Sequence, residues 1–311
     1  YDDHQKLHRM DKLFWEISSS RFGFLKAKSV QDEQGIYHSY RVFKYDIAGN
    51  VIEEKLYGNL TGKQKVNLEV TPQGELLHPE FEEYHTKIFA YSSEGMNLLV
   101  KMGDVKGNET KYFYKPGTNL LVKKLIYNES KIKKRTFLTY NEEAVLVRSV
   151  EDDGDSEQDY YGYSTMSERK TIAITPKRSL PGVGLPLIIE ESTVSPETFQ
   201  VVVLKRVEND FDVYGHLTKC RTFDANGNFA FEETKTYTLL GLLASETDVE
   251  GNETFYSYDG NGNVVFVSCP ILCKTVKTVY DLRNRPISVL ETTPDGESVL
   301  KTSYNHLGKI Q

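Results

Sequence analysis

The chain has 311 residues and a formal net charge of −7, with 39% hydrophobic and 12% aromatic residues, the latter dominated by 20 Tyr against one Trp. The mild acidity argues against a nucleic-acid surface, no apolar run approaches the roughly 18 residues of a membrane helix, and three cysteines (Cys220, Cys269, Cys273) make no disulfide framework. The length is ample for a core, and abundant Tyr and Phe favour pleated, half-buried surfaces, so the composition leans towards strands. The first residue is Tyr1 and no signal-like apolar segment follows it, so the sequence reads as a piece of a longer protein.

In chain order, residues 1–35 read as an N-terminal edge segment, with KLFWEI at 12–17 as a short helix or strand ahead of three serines at 18–20. Residues 36–150 read as hairpins. The first punctuating word is Tyr45-Asp46-Ile47-Ala48-Gly49-Asn50, and looser copies begin at Tyr91 and Tyr140. Residues 151–210 lack the word. They contain the acidic run EDDGDSEQD (151–159), strand-like TIAIT (171–175), a Pro/Gly turn at 180–189 and apolar VVVL (201–204), and read as degenerate repeats with longer hairpins. The acidic run lacks the alternate-ligand spacing of a calcium loop and is expected to be a solvated hairpin tip.

Residues 211–311 restore the word at Phe211-Asp212…Gly215, Phe223-Asp224…Gly227, Tyr258-Asp259…Gly262 and Tyr280-Asp281…Asn284, with looser copies at Tyr237 and Tyr304. From Tyr237 the aromatic recurs at 258, 280 and 304, a spacing that suits two strands and two turns per unit. Residues 104–122 and 248–266 agree at nine of nineteen positions, so the repetition is genuine. The word itself has a physical reading. An aromatic ends the incoming strand, and Asp or Asn accepts a backbone hydrogen bond from two residues on. Gly then supplies positive φ, as in a type I turn with a G1 bulge.

The Tyr-Asp-x-x-Gly-Asn/Arg pattern at this spacing resembles the RHS/YD repeats of bacterial polymorphic toxins, insecticidal toxin-complex components and teneurins. It is carried directly by residues 36–150 and 211–311. The resemblance implies an all-β fold of antiparallel hairpins in a large curved sheet, part of a spiral shell. In toxin members that shell encloses a cytotoxic polypeptide. It also implies a secreted or cell-surface setting within a larger protein. Toxin-delivering members cut themselves near an Asp-Pro-x-Gly-Leu block; this sequence has no Asp-Pro dipeptide, so any such step is expected outside these 311 residues.

Chemistry is sparse by comparison. The seven histidines have no metal-ligand spacing, no G-x-S-x-G elbow occurs, and GNLTGKQ (58–64) lacks the Ser or Thr that a phosphate loop places on magnesium. Four N-x-S/T sequons (Asn59, Asn108, Asn128, Asn252) are explained by turn Asn followed by strand Thr or Ser. No enzymatic site, metal or cofactor is expected. The leading expectation is a structural wall whose partners are an enclosed toxin or effector polypeptide and the remaining repeats of the parent chain. The alternative is a recognition surface for cell-surface glycans or proteins, built on exposed Tyr. The residues expected to matter are those of the turn: Tyr45, Asp46, Gly49, Asp212, Gly215, Asp224, Gly227, Tyr258, Asp259, Gly262, Tyr280 and Asp281.

Overall fold

A computed structural model describes residues 9–17, 21–62, 68–81, 83–93, 95–159, 166–180, 182–195, 197–305 and 308–310. Among these, 23 β-strands and a single 3-10 turn (Pro79–Phe81) form, and every strand pairing is antiparallel. KLFWEI resolves as strand rather than helix. The three serines at 18–20 lie outside the described residues. The chain divides into two compact units, residues 1–138 with 151–167, and residues 139–150 with 168–311.

In the first unit the ladder runs through β1 (Met10–Trp15), β2 (Leu25–Gln31), β3 (Tyr37–Tyr45), β4 (Val51–Gly58), β7 (Tyr84–Tyr91), β8 (Leu99–Asp104), β9 (Glu109–Tyr114), β10 (Leu121–Asn128) and β11 (Lys131–Tyr140). A separate small hairpin, β5 (Glu69–Val70) and β6 (Leu76–Leu77), interrupts the order. Residues directly opposite across a ladder share a face. The pairs Phe14–Ala27, Ser29–Tyr40, Tyr40–Tyr57 and Tyr57–Tyr84 therefore begin one face. The pairs Ile88–Gly103, Gly103–Glu109, Glu109–Tyr127, Lys111–Leu125 and Leu125–Arg135 continue it to β11.

That face is covered at both ends by the chain itself. At one end the β5–β6 hairpin packs Leu68, Val70 and Leu76 on Phe14, Ala27, Tyr40 and Tyr57. Tyr40 Oη donates to Gly74 O at 2.5 Å. At the other end, residues 152–158 lie over Leu125, Tyr127 and Arg135. The acidic run is solvated only in part: Glu151, Asp155, Glu157, Gln158 and Asp159 are exposed, whereas Asp152 and Gly154 are buried, and the Asp152 and Arg135 side chains are 0% and 1% exposed as an ion pair. An arginine outside any recognisable motif fixes the loop, and sequence spacing could not reveal it.

The second unit is one ladder of eleven strands: β13 (Arg169–Pro176), β14 (Pro186–Val194), β15 (Val201–Phe211), β16 (Leu217–Phe223), β17 (Phe229–Tyr237), β18 (Leu243–Thr247), β19 (Glu253–Tyr258), β20 (Val264–Cys269), β21 (Lys274–Tyr280), β22 (Pro286–Thr293) and β23 (Gly296–Lys301). The strand β12 (Leu146–Asp152) runs between the two units in sequence. Among this unit's described hydrophobic residues only Val150 and Cys269 are buried. It is a single layer with two half-wet faces. Phe255 at 42% exposure is on one, and Leu300 at 64% on the other. With no second layer among the described residues, the ladder itself and cross-strand pairs such as Lys170–Glu191, Lys235–Glu246 and Lys274–Glu291 carry its stability. Each such pair contributes roughly 0.2–1 kcal/mol.

Candidate functional site

The repeated turn is the unit from which the molecule is built. In eight turns among the described residues the first residue is Asp: Asp32, Asp46, Asp104, Asp212, Asp224, Asp248, Asp259 and Asp281. At Asp259, Oδ1 accepts from the N–H of Asn261 and from that of Asn263, both at 2.9 Å. Its backbone N–H donates to Asn263 O, while its carbonyl accepts from Gly262 N–H. Gly262 has φ +83°, and Gly49, Gly215 and Gly227 occupy the same station at +88°, +90° and +80°. Asn284 takes that station after Asp281 with φ +57°, which Asn tolerates by local hydrogen bonding.

The sixth position of the word does more than restart the chain. Its side chain closes the turn by donating to the second carboxylate oxygen: Asn50 on Asp46, Asn108 on Asp104, Asn228 on Asp224, Asn252 on Asp248 and Asn263 on Asp259. Arg285 does the same for Asp281, and His216 pairs with Asp212. The Asn side-chain amide and backbone N–H hold the carboxyls of Asp46, Asp104, Asp248 and Asp259 below the usual carboxylate range. For Asp281 the main cause is the Arg285 side chain. The sequence signal for this role is the Asn or Arg recurring four residues after Asp, with His216 as a chemically equivalent substitute.

The tyrosine couples one unit to the previous one. Tyr45, Tyr114, Tyr237, Tyr258, Tyr280 and Tyr304 each donate through Oη to a carbonyl 15–20 residues upstream: Leu25, Leu99, Leu217, Leu243, Val264 and Pro286. The pattern has one geometric cause. In every case the neighbouring ladder has its last residue pair two positions beyond that carbonyl and three before the tyrosine, as at Phe266–Lys277 for Val264 and Tyr280. The others are Ala27–Val42, Lys101–Lys111, Lys219–Thr234, Ser245–Phe255 and Ser288–Lys301. The bulge turns the strand aside and leaves the carbonyl without a ladder donor; the phenol supplies one. Burial pushes the phenols of Tyr45, Tyr114 and Tyr237 up, which keeps them protonated donors.

The word at Phe211 has no hydroxyl. There the carbonyl of Pro186, at the same station, accepts from Asn209 Nδ2 at 2.8 Å. The ladder again has its last pair two residues on, at Ile188–Glu208. Two different side chains meeting one requirement identify the requirement as satisfaction of that carbonyl. Consecutive units also touch through the sixth position, which stacks on the next ring: His216 on Tyr237 at 4.6 Å, and Arg285 over Tyr304 at 4.2 Å.

Among the described residues no group of three His, Cys, Asp or Glu could hold a metal ion. Cys269 is buried, Cys273 exposed and Cys220 half-buried, all free thiols. A recess of about 350 Å³ in the second unit lies between the turn at 141–145 and residues 176–184, and carries Glu142, Glu143, Lys177 and Arg178 as mixed charge. No described helix is long and apolar enough to cross a membrane.

No protein-family model and no curated protein sequence matches the chain. Solved structures do. The crystal structure of TcdB2-TccC3 without its hypervariable C-terminal region superposes with a TM-score of 0.54 over 97% of this chain and 17% of its own, at 14% identity. TcdB2-TccC3-Cdc42 gives 0.47 over 96% of this chain and 15% of its own, also at 14% identity. The Tc holotoxin pore of Photorhabdus luminescens gives 0.42 over 91% and 15%, at 13% identity. The first of these establishes the class: an all-antiparallel β fold of the kind found in the TcdB2-TccC3 chain. This chain spans less than a fifth of the length of these neighbours.

Proposed function

We propose that the chain is a non-enzymatic wall segment of an RHS/YD-type shell, exported as part of a larger protein, and that the shell encloses a toxin or effector polypeptide. The observation that carries this reading is the second unit: eleven strands coupled hairpin to hairpin by turns and tyrosines, with almost no buried hydrophobic side chain. A soluble single layer with aromatic and aliphatic area on both faces is unstable against association unless one face is enclosed, and a wall meets that condition. The likeness in fold to the TcdB2-TccC3 chain supports the same reading. Side chains converging on one concave site, as a glycan receptor or an enzyme requires, are not what the repetition produces.

Co-expression tests it. The full-length protein is produced with and without its shell repeats, and the enclosed polypeptide is challenged with protease. Protection that requires the repeats is the expected result. Equal digestion and equal toxicity in both cases would show that the wall encloses nothing.

A further inference from the structure

The dipeptide Lys-Arg occurs three times in the sequence, at 134–135, 177–178 and 205–206. The first lies in β11 and the third in β15, where Glu190 and Phe223 pair with Arg206 from either side. The second lies in the connection from β13 to β14. There Arg178, Ser179 and Leu180 are exposed, Leu180 at 84%, and none of the three makes a backbone hydrogen bond among the described residues. Lys106, Lys115, Arg283 and Lys309 also sit in turns, but each has its own backbone N–H hydrogen-bonded.

This connection is held at few points. The ladder beneath it ends at Pro176–Pro186, a pair without an N–H to donate. Beyond that pair, two backbone bonds span the loop among the described residues, Lys177 N–H to Leu185 O at 2.7 Å and Gly184 N–H to Lys177 O at 2.9 Å. Opening those two lets residues 176–180 be drawn out straight, as the cleft of an endoprotease requires of its substrate. Exposed loop segments that open at low local cost are where folded chains are cut. The side chains of Lys177 and Arg178 are not ion-paired among the described residues, although Glu142 and Glu143 line the same recess, so both charges are available to carboxylates of an enzyme.

A cut after Arg178 leaves the sheet tied across the break. β13 stays on β14 from Lys170–Thr193 to Pro176–Pro186. Thr193 Oγ1 donates to Arg169 O at 2.9 Å, and Lys170 Nζ lies 2.7 Å from Glu191 Oε1.

We propose that Lys177-Arg178 is a processing site for an endoprotease that reads paired basic residues, and that the cut leaves the second unit assembled from two chains. Water adds across the Arg178–Ser179 peptide bond, giving a carboxylate on Arg178 and an amine on Ser179. The inference does not rest on the wall reading.

The probe is a purified endoprotease specific for Lys-Arg pairs, applied at low dose to the folded chain. Peptides of residues 130–139, 173–182 and 201–210 serve as unfolded references, and the rate at each site is divided by that of its peptide. The folded chain should be cut at Arg178 at least about a hundredfold faster than at Arg135 or Arg206, because the strands must unfold before the enzyme can read them. The products, residues 1–178 and 179–311, should elute together where the intact chain does and part only in denaturant. Arg178→Gln should abolish the cut. Comparable normalised rates at the three sites overturn the proposal, as does a folded chain left intact at a dose that consumes peptide 173–182. Fragments that part in buffer, or an Arg178→Gln chain cut at the same place, overturn it too.

Discussion

At the scale of the residue, the turn divides its work between a backbone requirement and a side-chain requirement. Gly262 at φ +83° satisfies the first, and a β-branched side chain there is strained by roughly 1–3 kcal/mol. Asp259 satisfies the second in an open environment, where water can replace part of what a substitution removes. Gly262→Val is therefore expected to lower the denaturant midpoint more than Asp259→Ala; equal midpoints would place the strain elsewhere. The carboxylates also set an acid response. Asp46, Asp104, Asp248, Asp259 and Asp281 are held below the usual carboxylate range in the folded state by the hydrogen bonds of the turn. Their contribution is present above the unfolded value and lost as pH falls through the lowered one. Thermal midpoints should hold from neutrality to about pH 5 and then fall below about pH 4. A chain carrying Asn at all five positions should lose part of that slope, because the carboxyls of Asp32, Asp212 and Asp224 are lowered as well.

At the scale of the element, the bulge that ends each incoming strand also breaks the neighbouring ladder, and a single side chain repairs it. Tyr280→Phe keeps the ring and removes the donor to Val264 O, so a loss of about 1–2 kcal/mol is expected, as for an acceptor left unpaired. The Phe211 unit gives a stricter test. Asn209→Ala should cost a similar amount, and Phe211→Tyr on that background should recover at least half of it. Phe211→Tyr alone should gain nothing, because Pro186 O already has a partner. Additive effects across this cycle in urea melts would show that the two side chains do not serve one carbonyl.

At the scale of the whole molecule, the two units solve the exposure of a sheet face differently. The first covers one face with its own hairpin and acidic loop, and its outer strand β1 carries charge, with Asp11 paired to Lys28. The second has no such cover among its described residues, its outer strand β23 pairs there only with β22, and Val299 and Leu300 are 55% and 64% exposed. Such an edge seeks partners. Sedimentation should show concentration-dependent association, reduced by Leu300→Lys, which adds a charge to the edge. A monomer at every concentration for the unaltered chain would mean that the edge is already satisfied.

What the sequence determined by itself is the local grammar. Strands, turns and their spacing follow from an aromatic, an Asp, two tolerant positions and a Gly, because these act through dihedral preference and hydrogen bonds within five residues. The antiparallel all-β class follows from repeating them. The partners that lie far apart in the chain were decided only by the tertiary structure. Tyr280 and Val264 meet because a bulge ends one ladder where the next strand begins, and nothing in either residue's neighbourhood announces it. Arg135 and Asp152 are seventeen residues apart, without periodicity or motif, and the acidic run alone looks like solvated loop. Its burial depends on Arg135 being presented on β11 beside Leu125 and Tyr127, a matter of register across strands. Register is fixed by every turn that precedes it, so it belongs to the assembled sheet rather than to any short stretch of sequence.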